Sequence, residues 1–164
     1  MTTSTPAQSD ILLRDVTAED LPILFDYQND PDANYMAAFT SEDSSDQEAF
    51  MTHWAKILAD MSVINKAIVV DGQVVGSIAK FELFGEPSVG YSIGKAYWGR
   101  GFASKGLTAF LASVTSRPLY ARVVKDNSRS KRVLEKNGFV VIGEDTGFAN
   151  ARGAEVEELI LRLE

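Results

Sequence analysis

The chain has 164 residues, 45% of them hydrophobic and none cysteine, and it carries a formal net charge of −7 with a single histidine. That length and apolar content suit one domain with a sizeable core, and the lack of cysteine excludes disulfides, thiolate metal sites and a thiol nucleophile. A lone His53 argues against serine–histidine triads and multi-histidine metal sites, so the chemistry falls to carboxylates, hydroxyls, backbone amides or a cofactor.

Residues 1–10 are polar, without a basic start or an apolar stretch. They read as a disordered N-terminal arm rather than a secretion signal, which points to a cytoplasmic protein. Residues 11–15 form a first strand. Thr17 then caps a helix with Glu19 and Asp20 in its first turn, which runs through Leu24 to Tyr27 and stops before Asn29-Asp30-Pro31. Residues 31–45 read as a loop with a short helical piece near residues 35–39. Ser45-Asp46-Gln47-Glu48 has capping-box spacing and opens a second helix. There Phe50, Trp54, Ile57, Leu58 and Met61 recur at helical spacing, and His53 is a helix-face residue.

Residues 66–71 and 73–81 are β-rich runs meeting at Asp71-Gly72, a hairpin signal. Residues 88–93 alternate small side chains (Ser88, Gly90, Ser92) with bulky ones (Val89, Tyr91, Ile93). A glycine turn, Trp98-Gly99-Arg100-Gly101-Phe102-Ala103, leads into a helix over residues 103–115 and a strand over 119–124. Asn127 caps a further helix that closes at Gly138, and residues 139–143 and 155–163 are the last strands. No apolar stretch approaches the roughly 20 residues of a membrane span. The pattern predicts one α/β domain with a mostly antiparallel sheet and crossover helices only in its second half.

The glycine turn carries the chemistry. Its glycines let the backbone turn tightly and approach a ligand, and the next helix points free N–H groups and its positive dipole end at the turn. A pyrophosphate fits that span; a plain strand-to-helix turn is the alternative. The spacing matches neither the dinucleotide fingerprint nor a Walker loop. Charge is uneven: residues 1–60 hold 12 Asp/Glu against 2 Lys/Arg, and residues 61–164 hold 11 against 14. Arg117, Arg122, Lys125, Arg129, Lys131, Arg132 and Lys136 cluster after the turn, which favours a phosphorylated ligand. The acidic total argues against nucleic acid. The acidic first third favours a cationic second substrate such as an amine, solubility being the ordinary alternative.

Three segments resemble the GNAT acetyltransferase superfamily and, within it, the ribosomal-protein N-terminal acetyltransferase (Rim-type) branch. They are Leu12-Leu13-Arg14 with Asp20 and Asn29-Asp30-Pro31, then Gly90-Tyr91-Ser92-Ile93 running into Tyr97-Trp98-Gly99-Arg100-Gly101-Phe102-Ala103. The third is Asn127-Ser128-Arg129-Ser130 continuing through Leu134-Glu135-Lys136-Asn137-Gly138-Phe139. The resemblance implies a single GNAT domain over residues 11–164, an α/β (α+β) fold. Its mixed, mostly antiparallel twisted sheet would have about seven strands, helices on both faces, and splayed parallel fourth and fifth strands.

It also implies acetyl-CoA as cosubstrate and no metal. Trp98, Gly99, Arg100, Gly101, Phe102, Ala103 and Ser104 would hold the pyrophosphate, and pantetheine would pair with backbone near Ser92 and Ile93. Asn127 would touch the cofactor or simply cap its helix. Lys131, Arg132 or Arg100 would meet the 3′-phosphate or stay solvated. Leu134 stands where many members have a tyrosine, so Ser130 becomes the donor to the departing thiolate. Ser88 stands where the branch often has a glutamate. Glu86, two residues earlier on the same face, is the substitute base, a water relayed by Glu82 being the other route.

The implied activity is acetyl transfer from acetyl-CoA directly to a primary amine, on a protein N-terminus or a small molecule. A CoA-binding module without catalysis and a transferase of a bulkier acyl group are the alternatives. The acceptor pocket is expected near residues 25–40, 82–88 and 145–152, with Tyr27, Tyr35, Phe39 and Phe84 as lining candidates. The protein is expected to act as monomer or homodimer, with neither nucleic acid nor membrane as partner.

Overall fold

The structure is a computed structural model that describes residues 10–40 and 43–164; except for Asp10, the expected arm over residues 1–10 lies outside the described residues. In chain order the elements are β1 (Ile11–Asp15), α1 (Leu21–Gln28), α2 (Pro31–Ala37), α3 (Gln47–Ala59), β2 (Ile64–Val70), β3 (Gln73–Leu83) and β4 (Glu86–Ile93). Then follow α4 (Phe102–Ser113), β5 (Leu119–Val124), α5 (Ser128–Lys136), β6 (Val140–Ala149) and β7 (Ala154–Leu163). The strands form one seven-stranded sheet in the order β1-β2-β3-β4-β5-β7-β6. All neighbours are antiparallel except β4 and β5, which are parallel and share one pairing, Ser88 with Tyr120. The mixed sheet with a parted fourth and fifth strand is the fold expected.

Both faces of the sheet are covered. Leu107 and Phe110 of α4 and Leu134 of α5 pack with Ile68, Ile78, Val89, Leu119 and Leu161 on one face. Leu21 and Leu24 of α1 pack with Ala67, Val69 and Val74 on the other, where Phe50 of α3 sets its ring 5.2 Å from Phe25. No helix among the described residues is long and apolar enough to cross a membrane.

Several boundaries move from their expected places for local reasons. Residues 31–45 are not simply a loop: Pro31–Ala37 is helical, because the Asp30 carboxylate accepts from the N–H groups of Asp32 (2.9 Å) and Ala33 (3.0 Å) and Pro31 needs no donor there. Asp46 rather than Ser45 caps α3, accepting from the Ala49 N–H at 3.0 Å, while Ser45 donates to Asp43. β4 starts at Glu86 because Phe84 and Gly85 both have positive φ, 52° and 78°, the turn that matches strand twist. β6 runs on to Ala149, well beyond the expected stop at residue 143.

The Thr17 start is a capping box closed by Asp20 that opens a short 3₁₀ turn before α1. Asp20 is buried, accepts from the Thr17 N–H at 2.8 Å, and receives both prongs of Arg14 at 2.8 Å each. The Arg14 guanidinium therefore holds its carboxyl below the usual carboxylate range, against the desolvation that raises it. Its stabilisation is present above the ordinary carboxylate pKa of about 3.9 and is lost as pH falls through the lower folded value. Because Arg14 is 41% exposed, Asp20→Asn is expected to cost about 1–2 kcal/mol at pH 7. In urea melts run from pH 7 down to 3, the gap between variant and parent should hold until about pH 4 and narrow below it.

Candidate active site

The site lies where β4 and β5 part. On its β3 side β4 is fully paired: the Ser92 carbonyl sits where a Cβ on Gly76 would be, and the Gly94 N–H bonds the Val75 carbonyl at 2.8 Å. Strand alternation then directs the backbone groups of Tyr91 and Ile93 to the opposite edge, toward β5. The Ser92 backbone, expected at the cofactor edge, is turned to β3 instead. Trp98 reaches back to this edge and donates its indole N–H to the Ile93 carbonyl at 2.7 Å. That bond locks the strand end and leaves the Ile93 N–H and both Tyr91 groups along the gap.

Beyond the strand, Gly99 and Gly101 adopt φ of 77° and 80°, and Gly101 is the N-cap of α4. An added Cβ would meet nothing within 4 Å at either glycine, so the space above the turn is open. The first N–H to bond back into the helix is that of Lys105, to the Gly101 carbonyl at 3.0 Å. The N–H groups of Phe102, Ala103 and Ser104 therefore begin a 12-residue helix without intrahelical acceptors. Open space, three convergent donors and a helix dipole fit a diphosphate. The Phe102 side chain itself is buried core, and Arg100 lies over the rings of Phe102 (5.2 Å) and Tyr97 (5.9 Å).

Asn127 does cap α5, its side-chain oxygen accepting from the Ser130 N–H at 3.2 Å. One residue the sequence reading passed over completes this side. Tyr91, part of the resembling segment but given no role of its own there, brings its hydroxyl to 2.7 Å from the Ser130 hydroxyl and 3.3 Å from the Ser130 carbonyl. Burial pushes the Tyr91 phenol up to about 12, the Ser130 hydrogen bond pulling the other way. The bulky–small alternation of β4 put Tyr91 on one face with Val89 and Ile93, but nothing near it in sequence named its partner.

A cavity of about 210 Å³ passes through the sheet at this opening. Tyr91, Asn127, Ser130 and Leu134 line it on the α5 side. Met36, Ala37 and Phe39 line it on the α2 side, together with Arg122 and Glu158 from β5 and β7. Glu86 and Ser88 are not among its lining residues: Glu86 is exposed at the start of β4, and Ser88 is buried with its hydroxyl donating to the Glu86 carbonyl at 3.1 Å. Of the aromatic candidates, Phe39 reaches the cavity. Tyr27 instead bonds the Val74 carbonyl at 2.6 Å, Tyr35 stacks 3.8 Å under Arg152, and Phe84 lies under Arg122 at 4.5 Å.

A sheet opened between two parallel strands, beside a helix start built for a diphosphate, is the frame of an acyltransferase that draws on CoA. The profile of the acetyltransferase (GNAT) domain family matches residues 10–140, and the chain belongs to that family. Across 93% of its length and 92% of the other's it is 23% identical to an uncharacterized N-acetyltransferase, p20, of Bacillus licheniformis. Its fold is similar to that of a spermidine N-acetyltransferase from Vibrio cholerae in complex with CoA and spermine, at TM-score 0.75 and 18% identity, covering 93% of this chain and 95% of that one. It is also similar to Mycobacterium smegmatis RimJ in complex with CoA-disulfide, at TM-score 0.77 and 19% identity, covering 93% and 81%.

Proposed function

We propose that this protein is an acetyl-CoA-dependent N-acetyltransferase of the Rim-type branch, one domain over residues 11–164 that works in the cytoplasm on a primary amine. The observation that carries this reading is the cavity at the parted strands, which is lined by β4 and α5 residues on the cofactor side and by Met36, Ala37 and Phe39 on the other. The neighbour that binds CoA and spermine supports an amine acceptor by likeness of fold.

In this reading the diphosphate of acetyl-CoA sits on the α4 N-terminus and the pantetheine arm pairs with Tyr91 and Ile93 at the free edge. The thioester then lies in the cavity, where the Ile93 N–H can polarise its carbonyl. A neutral amine enters from the α2 side and attacks that carbon; the N–C bond forms, the C–S bond breaks, and the electron pair leaves on sulfur. Ser130 supplies the hydrogen bond that sulfur needs. The Tyr91 hydroxyl has one proton; donated to the nearer Ser130 hydroxyl at 2.7 Å rather than to the Ser130 carbonyl at 3.3 Å, it leaves the Ser130 proton free to point at the thiolate. A phenol at about 12 holds its proton against a thiolate of ordinary basicity, near 8.5. Tyr91 thus positions Ser130 and polarises it rather than giving up its own proton. The proton lost by the amine goes to solvent: Glu86 does not line the cavity, and Glu158, which does, is engaged by Arg122.

The test is calorimetric titration with acetyl-CoA, followed by thiol release over a panel of amines and peptide N-termini. One acetyl-CoA per chain and amine-dependent thiol release are expected. Absence of binding overturns the reading; binding without release under any amine leaves a CoA-binding module and overturns the enzyme.

A further inference from the structure

The two sides of the cavity differ in the charge they can offer. On the α5 side Arg129, Lys131, Arg132 and Lys136 make no ion pair with any described residue, which suits the phosphates of the cofactor. On the α2 side the cations are already matched or outnumbered. Arg122 donates to Asp145 at 2.9 Å and to Glu158 at 2.7 Å, and Arg152 donates to both oxygens of Asp126 at 2.7 and 3.1 Å. Two cations against three carboxylates leave negative charge in excess. Of these carboxylates Glu158 alone lines the cavity. Its side chain is 14% exposed, and only one of its oxygens is taken by Arg122.

We infer that Glu158 is the residue that selects the acceptor, and that the acceptor is a small amine carrying a second positive charge, a diamine or polyamine. This rests on the acetyltransferase reading above. A carboxylate that gives one oxygen to a guanidinium offers the other as an acceptor, and a cationic donor meets it with the stronger, charge-assisted hydrogen bond. The nitrogen that attacks a thioester must instead be neutral. One acceptor satisfies both demands when it has two nitrogen centres, one charged at Glu158 and one free in the cavity.

The walls agree with a short aliphatic spacer. Met36, Ala37 and Phe39 are apolar, and a cavity of about 210 Å³ has room for an acetyl group and a few methylenes. An acceptor with a carboxylate in place of the second ammonium would face Glu158 while Arg122 and Arg152 are engaged elsewhere. The excess of acid in the first third of the chain pointed to a cationic substrate, yet the carboxylate that faces the cavity comes from β7, near the other end.

Three probes of matched length separate the possibilities: 1,4-diaminobutane, 1-aminobutane and 4-aminobutyrate, with positive, no and negative charge at the far end. For the parent protein kcat/KM is expected to fall in that order, by about tenfold per step. Glu158→Gln keeps the size and an oxygen for Arg122, and it should bring the diamine-to-monoamine ratio toward one, through KM for the diamine. Its acetyl-CoA affinity, measured separately, reports that the fold and the cofactor side are intact. If the variant does not fold, added salt applied to the parent gives the same reading, raising KM for the diamine and not for the monoamine. Where no amine turns over, calorimetric binding of the three probes to the CoA-loaded protein replaces kcat/KM. Equal use of the three probes by a protein that binds acetyl-CoA overturns the inference and spares the acetyltransferase reading. A Gln variant that keeps the preference overturns it too, as does a peptide N-terminus followed by lysine that outperforms the diamine. Failure to bind acetyl-CoA at all counts against the acetyltransferase reading, and the order in which the three probes bind the protein alone then decides the role of Glu158.

Discussion

Gly101→Val should weaken acetyl-CoA binding by about a hundredfold while leaving a folded protein. Gly101 caps α4 at φ 80°, a conformation that costs an L-residue about 1–2 kcal/mol and a β-branched one more. The strain is relieved by rotating the turn, and rotation pulls the N–H groups of Phe102, Ala103 and Ser104 out of convergence. Losing two charge-assisted hydrogen bonds to a diphosphate is worth about 3 kcal/mol, roughly a hundredfold in Kd. The added Cβ meets no neighbour within 4 Å, so the core is undisturbed and the melting temperature should fall by only a few degrees. Calorimetric titration beside a thermal melt separates the two effects. An unchanged Kd would move the phosphates away from this helix start.

The second large effect is on turnover. Ser130→Ala is expected to lower kcat by about a hundredfold, the usual loss when one donor to developing charge is removed, with KM for acetyl-CoA little changed. Tyr91→Phe keeps the ring and removes only the hydroxyl 2.7 Å from Ser130, and should lower kcat by about tenfold. The double variant should match Ser130→Ala alone, because Tyr91 acts through Ser130 and their effects do not add. An acetyl thioester of a nitro-substituted thiophenol, whose thiolate needs no donor, should hide both defects. A merely structural role for Tyr91 would impair both thioesters alike. Full kcat in Ser130→Ala would remove the pair from the chemistry.

What could be read along the chain was whatever a few consecutive residues settle. The glycine turn at Gly99 and Gly101, the Asn127 cap and the Asp71-Gly72 hairpin each depend on φ preferences and side-chain reach within a handful of positions. α2 was missed, residues 31–45 being read as a loop with a short helical piece near 35–39, although its start is also local: the Asp30-Pro31 pair supplies a cap and a first-turn residue with no donor to lose. The order of such elements pointed to one mostly antiparallel α/β domain, and the parted fourth and fifth strands came from the resemblance of the segments around Tyr91, Gly101 and Asn127 to the GNAT superfamily.

The partners across the gap could not be read that way. Tyr91 meets Ser130 39 residues away, and Glu158 enters the same cavity from β7 because β7 pairs with β5 in a register that sets Val124 opposite Glu158. A one-residue slip in any of those pairings would turn Glu158 to the α5 face and the Ser92 backbone to the gap. Ser88 and Glu86 show the converse. Their positions in the strand matched an expected base, yet one is buried against its own strand and the other is in solvent. Turn and cap chemistry is a property of neighbouring residues, so it survives in a linear string. Which hydroxyl faces which thioester, and which carboxylate faces the acceptor, is set by strand register and by the single pairing of Ser88 with Tyr120 that lets β4 and β5 part. Those are decided only when the whole sheet has formed.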